Sequence, residues 1–320
     1  MAPSDVITWL LDTDPALRWQ VERDLLDASP EQWQATRARI SQEGYGAALL
    51  AHQDPATGLW AGGAFFPAGF LEDPASKELP GQPWTATTWS LTTLREWGMD
   101  AAPLIARDTA AKLAEHARWE FDDSLPYWGG EVDVCINAMT LSNGLWLGAD
   151  VEPLVDWFCE HRMDEGGWNC EWEHGSRRAS FHSTLNALRA LHEHERLTGG
   201  TDAAREVQRA GEEYLLQRNL TRRLSTGEIV GPWVDHFLYP PRHIYTALRA
   251  LDHFREADRR DSRMQEAVQM VRDAQQTDGT WLQQHVLPGQ VWFEIDVRVG
   301  EPSPWLTMQA LRVLRWWNRE

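Results

Sequence analysis

Gly–Trp turns recur along the chain, and each is followed, after a variable loop, by an amphipathic helical stretch. The turns are Gly58-Leu59-Trp60, Trp128-Gly129-Gly130, Gly166-Gly167-Trp168, Gly231-Pro232-Trp233 and Gly279-Thr280-Trp281. A supersecondary unit that returns in this way cannot bury its apolar face alone. Its neighbours must stack on it to make a continuous core. The helices after the turns are expected to begin near Thr85, Asp133, His182, Arg242 and Trp305, with Leu-rich cores such as LNALRAL and TALRAL. Ile244, Leu248, Leu251 and Phe254 share one helical face. Second helices are expected over roughly 101–119, 150–163, 201–219 and 259–276.

Residues 5–53 read as two or three further helices, with Pro15 and Pro30 near first turns and Leu17, Val21 and Leu25 as an apolar stripe. No sustained strand-like alternation and no low-complexity linker interrupts the pattern. The expectation is therefore all-α: a single domain over 1–320, in which 1–53 cap or open a barrel of helical hairpins and 54–320 form its repeats. The 19 Trp residues fit a repeated packing device or an aromatic-lined cavity.

A formal charge of −18 argues against nucleic acid as a partner. Three cysteines, Cys135, Cys159 and Cys170, do not make a disulfide framework. No apolar run is long enough for a membrane span, and the first residues lack the pattern of a signal peptide. A cytoplasmic location is expected; the oligomeric state is left open.

Gln275-x3-Gly279-x-Trp281 resembles the QxxxGxW repeat of squalene-cyclase-like proteins. Gln53…Gly58-Leu59-Trp60 is similar with one residue inserted, and Arg162-x3-Gly166-x-Trp168 keeps the Gly and Trp but not the Gln. The resemblance, to squalene-cyclase-like proteins (short bacterial members among them) and to protein prenyltransferase β subunits, spans about 45–320. It implies an α/α toroid whose inner helices point their N-termini toward one mouth. The motif is structural in its effect, since Gly allows a tight turn, Trp packs on it, and Gln caps a neighbouring helix end. These Trp residues argue for fold, not function.

In a toroid the residues opening the inner helices converge, here Thr85, Cys135, His182, Arg242 and Trp305. Asp133-x-Cys135 and His182 resemble the zinc ligands of prenyltransferase β subunits, which implies Zn²⁺ at Asp133, Cys135 and His182. Such a set suits tetrahedral Zn²⁺ with one open position. Cys170, on the loop leading to His182, is an alternative ligand in place of Asp133. The same residues also fit a metal-free arrangement: a buried thiol, a helix-capping Asp and a His at the mouth.

The DxDD motif of class II cyclases is absent. Glu120-Phe121-Asp122-Asp123 is expected on a wet loop ending an outer helix, so Glu131, Asp133 and Asp296 are the better candidate acids. Trp84, Trp89 and Trp305 are candidates for lining an apolar substrate and shielding a carbocation. Arg242 and His243 are candidates for an anionic group such as a diphosphate, although Arg242 also fits an ion pair with a neighbouring carboxylate. Cys159 is expected to pack on the core, and His192 and His194 to be solvated. No phosphate loop, HExxH or nucleophile elbow is present.

Three functions follow. The first is a terpenoid cyclase or prenyltransferase-like enzyme with a small apolar or isoprenoid substrate. The second is a zinc-dependent, thiol-activating enzyme on the same scaffold. The third is a non-catalytic toroid that binds a peptide or lipid.

Overall fold

Proline and short polar residues set the first helices. Asp14 accepts a hydrogen bond from the Ala16 N–H at 2.8 Å and Ser29 one from Gln32, with Pro15 and Pro30 in the first turns that follow. In the computed structural model, which describes residues 3–319, the N-terminal part holds α1 (Pro3–Leu11), α2 (Pro15–Asp24), α3 (Pro30–Ala38) and α4 (Gly44–Ala51). This is one helix more than the upper expectation. Pro15 and Pro30 stand at helix starts as expected, and Leu17 and Val21 are buried.

The remainder alternates helices with loops: α5 (Thr87–Glu96), α6 (Ala102–Ile105), α7 (Thr109–His116), α8 (Val134–Leu147), α9 (Glu152–Glu160), α10 (Phe181–Thr198), α11 (Asp202–Leu216), α12 (Ala247–Glu256), α13 (Gln265–Asp273) and α14 (Pro304–Trp317). Among the described residues there are isolated β-bridges but no strand. The helices after the Gly–Trp turns begin close to where the sequence places them, with one exception. Arg242 does not open a helix: it has a left-handed φ of 51° directly after Pro240-Pro241, and α12 starts only once Thr246 caps the Arg249 N–H. The expected 101–119 helix is likewise split into α6 and α7 at Asp108, which has a φ of 54°.

The turns repeat in their hydrogen bonds. The indole N–H of Trp60, Trp168 and Trp281 donates to the carbonyls of Leu49, Phe158 and Val271, in the helices that precede them. Their backbone N–H groups donate to the hydroxyls of Thr87, Thr184 and Thr307, each in the opening turns of the helix that follows, at 3.0 Å in every case. Each Trp thus bolts one helix end to the next helix start. The Gln side chain acts mostly inside its own turn: Gln53 and Gln275 donate to the carbonyls of Gly58 and Gly279, and Gln53 also reaches the Thr109 hydroxyl at the start of α7. Trp233 does not share this pattern. The Tyr245 hydroxyl bonds the Leu220 carbonyl there instead.

One hydrophobic core runs from Val6 to Trp316 and unites the helices in a single domain. Packing proceeds from α5 to α8, α10, α12 and α14; α14 packs on α2, α2 on α4, and α4 on α5. The expected solvation of His194 is corrected: its ring is buried and its Nε2 lies 3.1 Å from Glu152 at the start of α9. His192 is partly covered, because α10 is enclosed by its neighbours well beyond its first turns. Cys159 is partly buried against the core, in line with expectation.

Candidate metal centre

Asp133 ends the loop before α8, and its Oδ1 accepts from the backbone N–H groups of Cys135 (2.7 Å) and Ile136 (3.1 Å). This cap fixes Cys135 in the first turn of the helix. A second segment comes down on it from the Trp168 turn. Asn169 caps the short turn Cys170–Trp172, the Cys170 N–H donates to the Ser183 hydroxyl at 3.1 Å, and the Trp172 indole donates to the Val132 carbonyl at 2.8 Å. These ties bring Cys170 Sγ to 3.1 Å from Asp133 Oδ1, 3.3 Å from Cys135 Sγ and 3.2 Å from Ser183 Oγ. The donor atoms of Asp133, Cys135 and Cys170 all lie within 4.8 Å of one another.

Two sulfurs and a carboxylate stand within hydrogen-bonding distance here. The Cys170 thiol is pushed far up, first by its hydrogen bond to Cys135, then by burial and by the charges of Cys135 and Asp133. Two sulfurs and a carboxylate oxygen are atoms of the kind that ligate Zn²⁺. Asn186 Nδ2, 3.3 Å from Cys135 Sγ, supplies an N–H toward that sulfur.

His182 is outside this set. Its Nδ1 accepts the Tyr245 backbone N–H at 2.8 Å, and its ring lies 4.4 Å from the Trp233 ring. Burial, followed by the charges of His243 and Arg249, lowers its pKa to about 4. The ring is thus neutral near pH 7, with its proton on Nε2 and no nitrogen lone pair left for a metal. Cys170 stands where the sequence put His182, and it joins Asp133 rather than replacing it. Glu131 serves the backbone: its Oε2 accepts the Asp133 N–H at 3.0 Å. Burial raises its pKa, with a contribution from the Asp133 charge.

The aromatic candidates separate into two places. Trp84 and Trp89 meet edge to face at 4.8 Å, and the His243 ring lies 6.3 Å from each. The Arg242 guanidinium lies over the Trp84 ring at 5.2 Å. The segment between α13 and α14 covers this group. Pro288 and Gln290 accept from the Trp84 indole and backbone, and Trp292 donates to the Thr85 carbonyl and stacks on His52 at 4.0 Å. The cleft left beside Trp84 has room for about a single water. Trp305 does not share that cleft: it stacks on Tyr239 at 4.3 Å and donates to the Ile295 carbonyl.

Asp296 accepts from the Ser303 hydroxyl at 2.6 Å, while its buried Oδ1 has no hydrogen-bond partner among the described residues, and burial raises its pKa to about 6. Glu120, expected on a wet loop, is instead half-buried, with its carboxylate held by the N–H groups of Ala64, Phe65 and Phe66. Sequence reasoning missed Ser183 and Asn186, although Ser183 and Asn186 lie three residues apart on α10, in line with Ser180, which caps it. It also missed the charge facing the interior: Arg95 pairs with Glu193 at 2.6 Å, and Arg189 lies 3.9 Å from both Glu96 and Glu256. Against known proteins, no family model matches this chain, and no curated protein matches it.

Proposed function

We propose that this chain is a Zn²⁺-dependent enzyme on an α/α-toroid scaffold of the squalene-cyclase and prenyltransferase type, with the metal held by Asp133, Cys135 and Cys170. The toroid reading is supported by the succession of helix neighbours, which runs from α5 through α14 and returns by α2 and α4. It is also supported by the turn bonding shared by Trp60, Trp168 and Trp281. The observation that carries the metal reading is the convergence of two sulfurs and a carboxylate oxygen within 4.8 Å, with no Lys or Arg forming an ion pair with Asp133 among the described residues.

Three protein donors leave a tetrahedral ion one position for a reactant, which favours a catalytic over a structural ion. Bound there, Zn²⁺ supplies Lewis-acid activation of a thiol or water. The surrounding residues supply the rest. Asn186 steadies the Cys135 sulfur, Ser183 holds the Cys170 backbone and sulfur, and His182 offers a neutral Nε2–H as a hydrogen-bond donor. The charged interior favours a polar substrate. An isoprenoid substrate would require the segment carrying Pro288 and Trp292 to withdraw from Trp84.

Elemental analysis of protein purified without chelator is expected to give close to one zinc per chain. Cys135→Ala and Cys170→Ala lose it, and Cys159→Ala keeps it. Cobalt substitution gives a second readout independent of turnover, a thiolate charge-transfer band that disappears in both variants. Folded protein that takes up neither Zn²⁺ nor Co²⁺ at micromolar concentration overturns the reading.

A further inference from the structure

Interior arginines in this protein are generally matched with acids. Arg95 pairs with Glu193, Arg189 lies near Glu96 and Glu256, and Arg312 pairs with Asp252 and Asp24. Arg242 is different. Among the described residues no carboxylate lies within ion-pair distance of it, and its hydrogen bond to the Thr93 hydroxyl is long, at 3.4 Å. Glu96, which borders one of its clefts, is engaged with Arg189 at 3.9 Å. Arg249 also lacks an ion-pair partner, but its NH1 donates to the Ile244 carbonyl.

The location of Arg242 is equally unusual. It lines two clefts, one with Ser90, Thr93, Trp84 and Trp292, the other with Trp89, Glu96 and Tyr239. Its backbone is held at a φ of 51°, in the left-handed region, as it is at several turns and helix ends of this chain. Burial brings its pKa down to about 10, so the guanidinium remains cationic at neutral pH. Glu96 acts on this largely covered cation only from beyond ion-pair distance, so an anion placed directly against the guanidinium gains where Glu96 does not.

We propose that Arg242 binds the carboxylate of a small organic acid in the cleft between Trp84 and Trp292. A single guanidinium carries one positive charge in a planar fork, which matches a carboxylate's one charge and two oxygens. A phosphate dianion would meet one cation only, with Glu96 close by and no glycine-rich nest of backbone N–H groups. The Ser90 and Thr93 hydroxyls already donate to the Thr85 and Trp89 carbonyls, which leaves Arg242 as the charged donor of the cleft, and the Trp84 and Trp292 rings offer flat apolar walls for the acid's carbon frame. The cleft as it stands has room for about one water, so binding requires Trp292 to leave its stack on His52 and its bond to the Thr85 carbonyl. This site goes beyond the metal reading and does not depend on it.

The test is calorimetric titration of the whole protein with acetate, benzoate, benzamide and inorganic phosphate, on wild type and on zinc-free Cys135→Ala. Saturable benzoate binding is expected in both, with acetate weaker and benzamide, the uncharged isostere, at least tenfold weaker. Arg242→Gln should weaken benzoate at least tenfold, with Arg242→Lys in between because it keeps the charge and loses the fork. The benzamide comparison needs no variant and stands if Arg242→Gln does not fold. The proposal is overturned by no saturable carboxylate binding, by benzamide binding as well as benzoate, by undiminished binding in folded Arg242→Gln, or by phosphate binding more tightly than both carboxylates. Loss of zinc with benzoate binding intact separates this proposal from the metal reading.

Discussion

Two clusters of covered polar side chains differ in their charge balance. One joins α2, α12 and α14: Arg312 donates to Asp252 at 2.8 and 2.5 Å, to Gln20 at 2.9 Å and to Asp24 at 3.3 Å, while Arg255 takes Asp252 from another side. Burial alone would raise the Asp252 carboxyl, but the guanidiniums of Arg312 and Arg255 hold it well below the usual carboxylate range. The other cluster, at the starts of α8 and α10, gathers Asp133, Cys135 and Cys170 with no guanidinium or ammonium paired to it among the described residues. Where donors and acceptors cancel, the cluster is a fastener between helices. The second cluster is closed by the hydrogen bonds of Cys170 to Asp133 and Cys135 and not by a guanidinium, and its balance changes if a metal is bound there as proposed.

The largest expected effects set the two clusters against each other. Arg312→Ala leaves Asp252 and Asp24 buried without their shared partner and is expected to cost about 3–5 kcal/mol in urea unfolding, with zinc per folded chain unchanged. Cys135→Ala should do the reverse: zinc is lost, and the metal-free chain differs little in stability from metal-free wild type. Zinc loss in folded Arg312→Ala, or retention in Cys135→Ala, would erase the distinction.

Asp296 sharpens the comparison because, among the described residues, it has neither a guanidinium nor metal-binding neighbours. Burial raises its pKa from 3.8 to about 6, so the folded state holds this proton more tightly than the unfolded one. Its contribution is therefore fully present below pH 3.8 and is lost as pH rises toward 6, by roughly 3 kcal/mol at most. Asp296→Asn keeps an acceptor for Ser303 and removes the buried charge. It should stabilise the protein at pH 7 by roughly 1–3 kcal/mol and flatten the stability profile between pH 4 and 6. An unchanged profile would mean that the carboxyl ionises in place without cost.

Much of the helical layout is legible in the sequence, and less of the site. Helix starts at Pro15, Pro30, Asp133 and Pro304 follow from caps and first-turn prolines, which are local. The start of α12 is not legible in this way, because Pro240-Pro241 and the left-handed Arg242 make a turn, closed by the Ile244 N–H on the Pro241 carbonyl, where the Leu pattern would begin the helix. Asp133 and Cys135 are readable as a pair because one residue caps the turn that carries the other. That Cys170 rather than His182 completes the set is not readable, since it depends on the Ser183, Asn169 and Trp172 bonds that fold the 168–180 loop back onto α8.

The smallest effect tests whether the three Trp turns are equivalent fasteners. Trp281 and Thr307 are fully buried, and the Thr307 hydroxyl accepts the Trp281 backbone N–H; Trp168 and Thr184 repeat the arrangement. Thr→Val keeps the shape and leaves that N–H unsatisfied, so Thr307→Val and Thr184→Val should each cost about 1–3 kcal/mol. Thr87→Val should cost more, because its hydroxyl accepts from Trp60 and also donates to the Gly63 carbonyl at 2.6 Å, a closer bond than the 3.3 Å one from Thr184 to the Trp168 carbonyl. In urea unfolding the expected order is Thr87→Val below the other two in stability, with zinc content equal in all three. Three neutral substitutions would show that the indole bond to the preceding helix carries the turn by itself. Zinc loss confined to Thr184→Val would instead tie the Trp168 turn to the placement of Cys170, two residues beyond it.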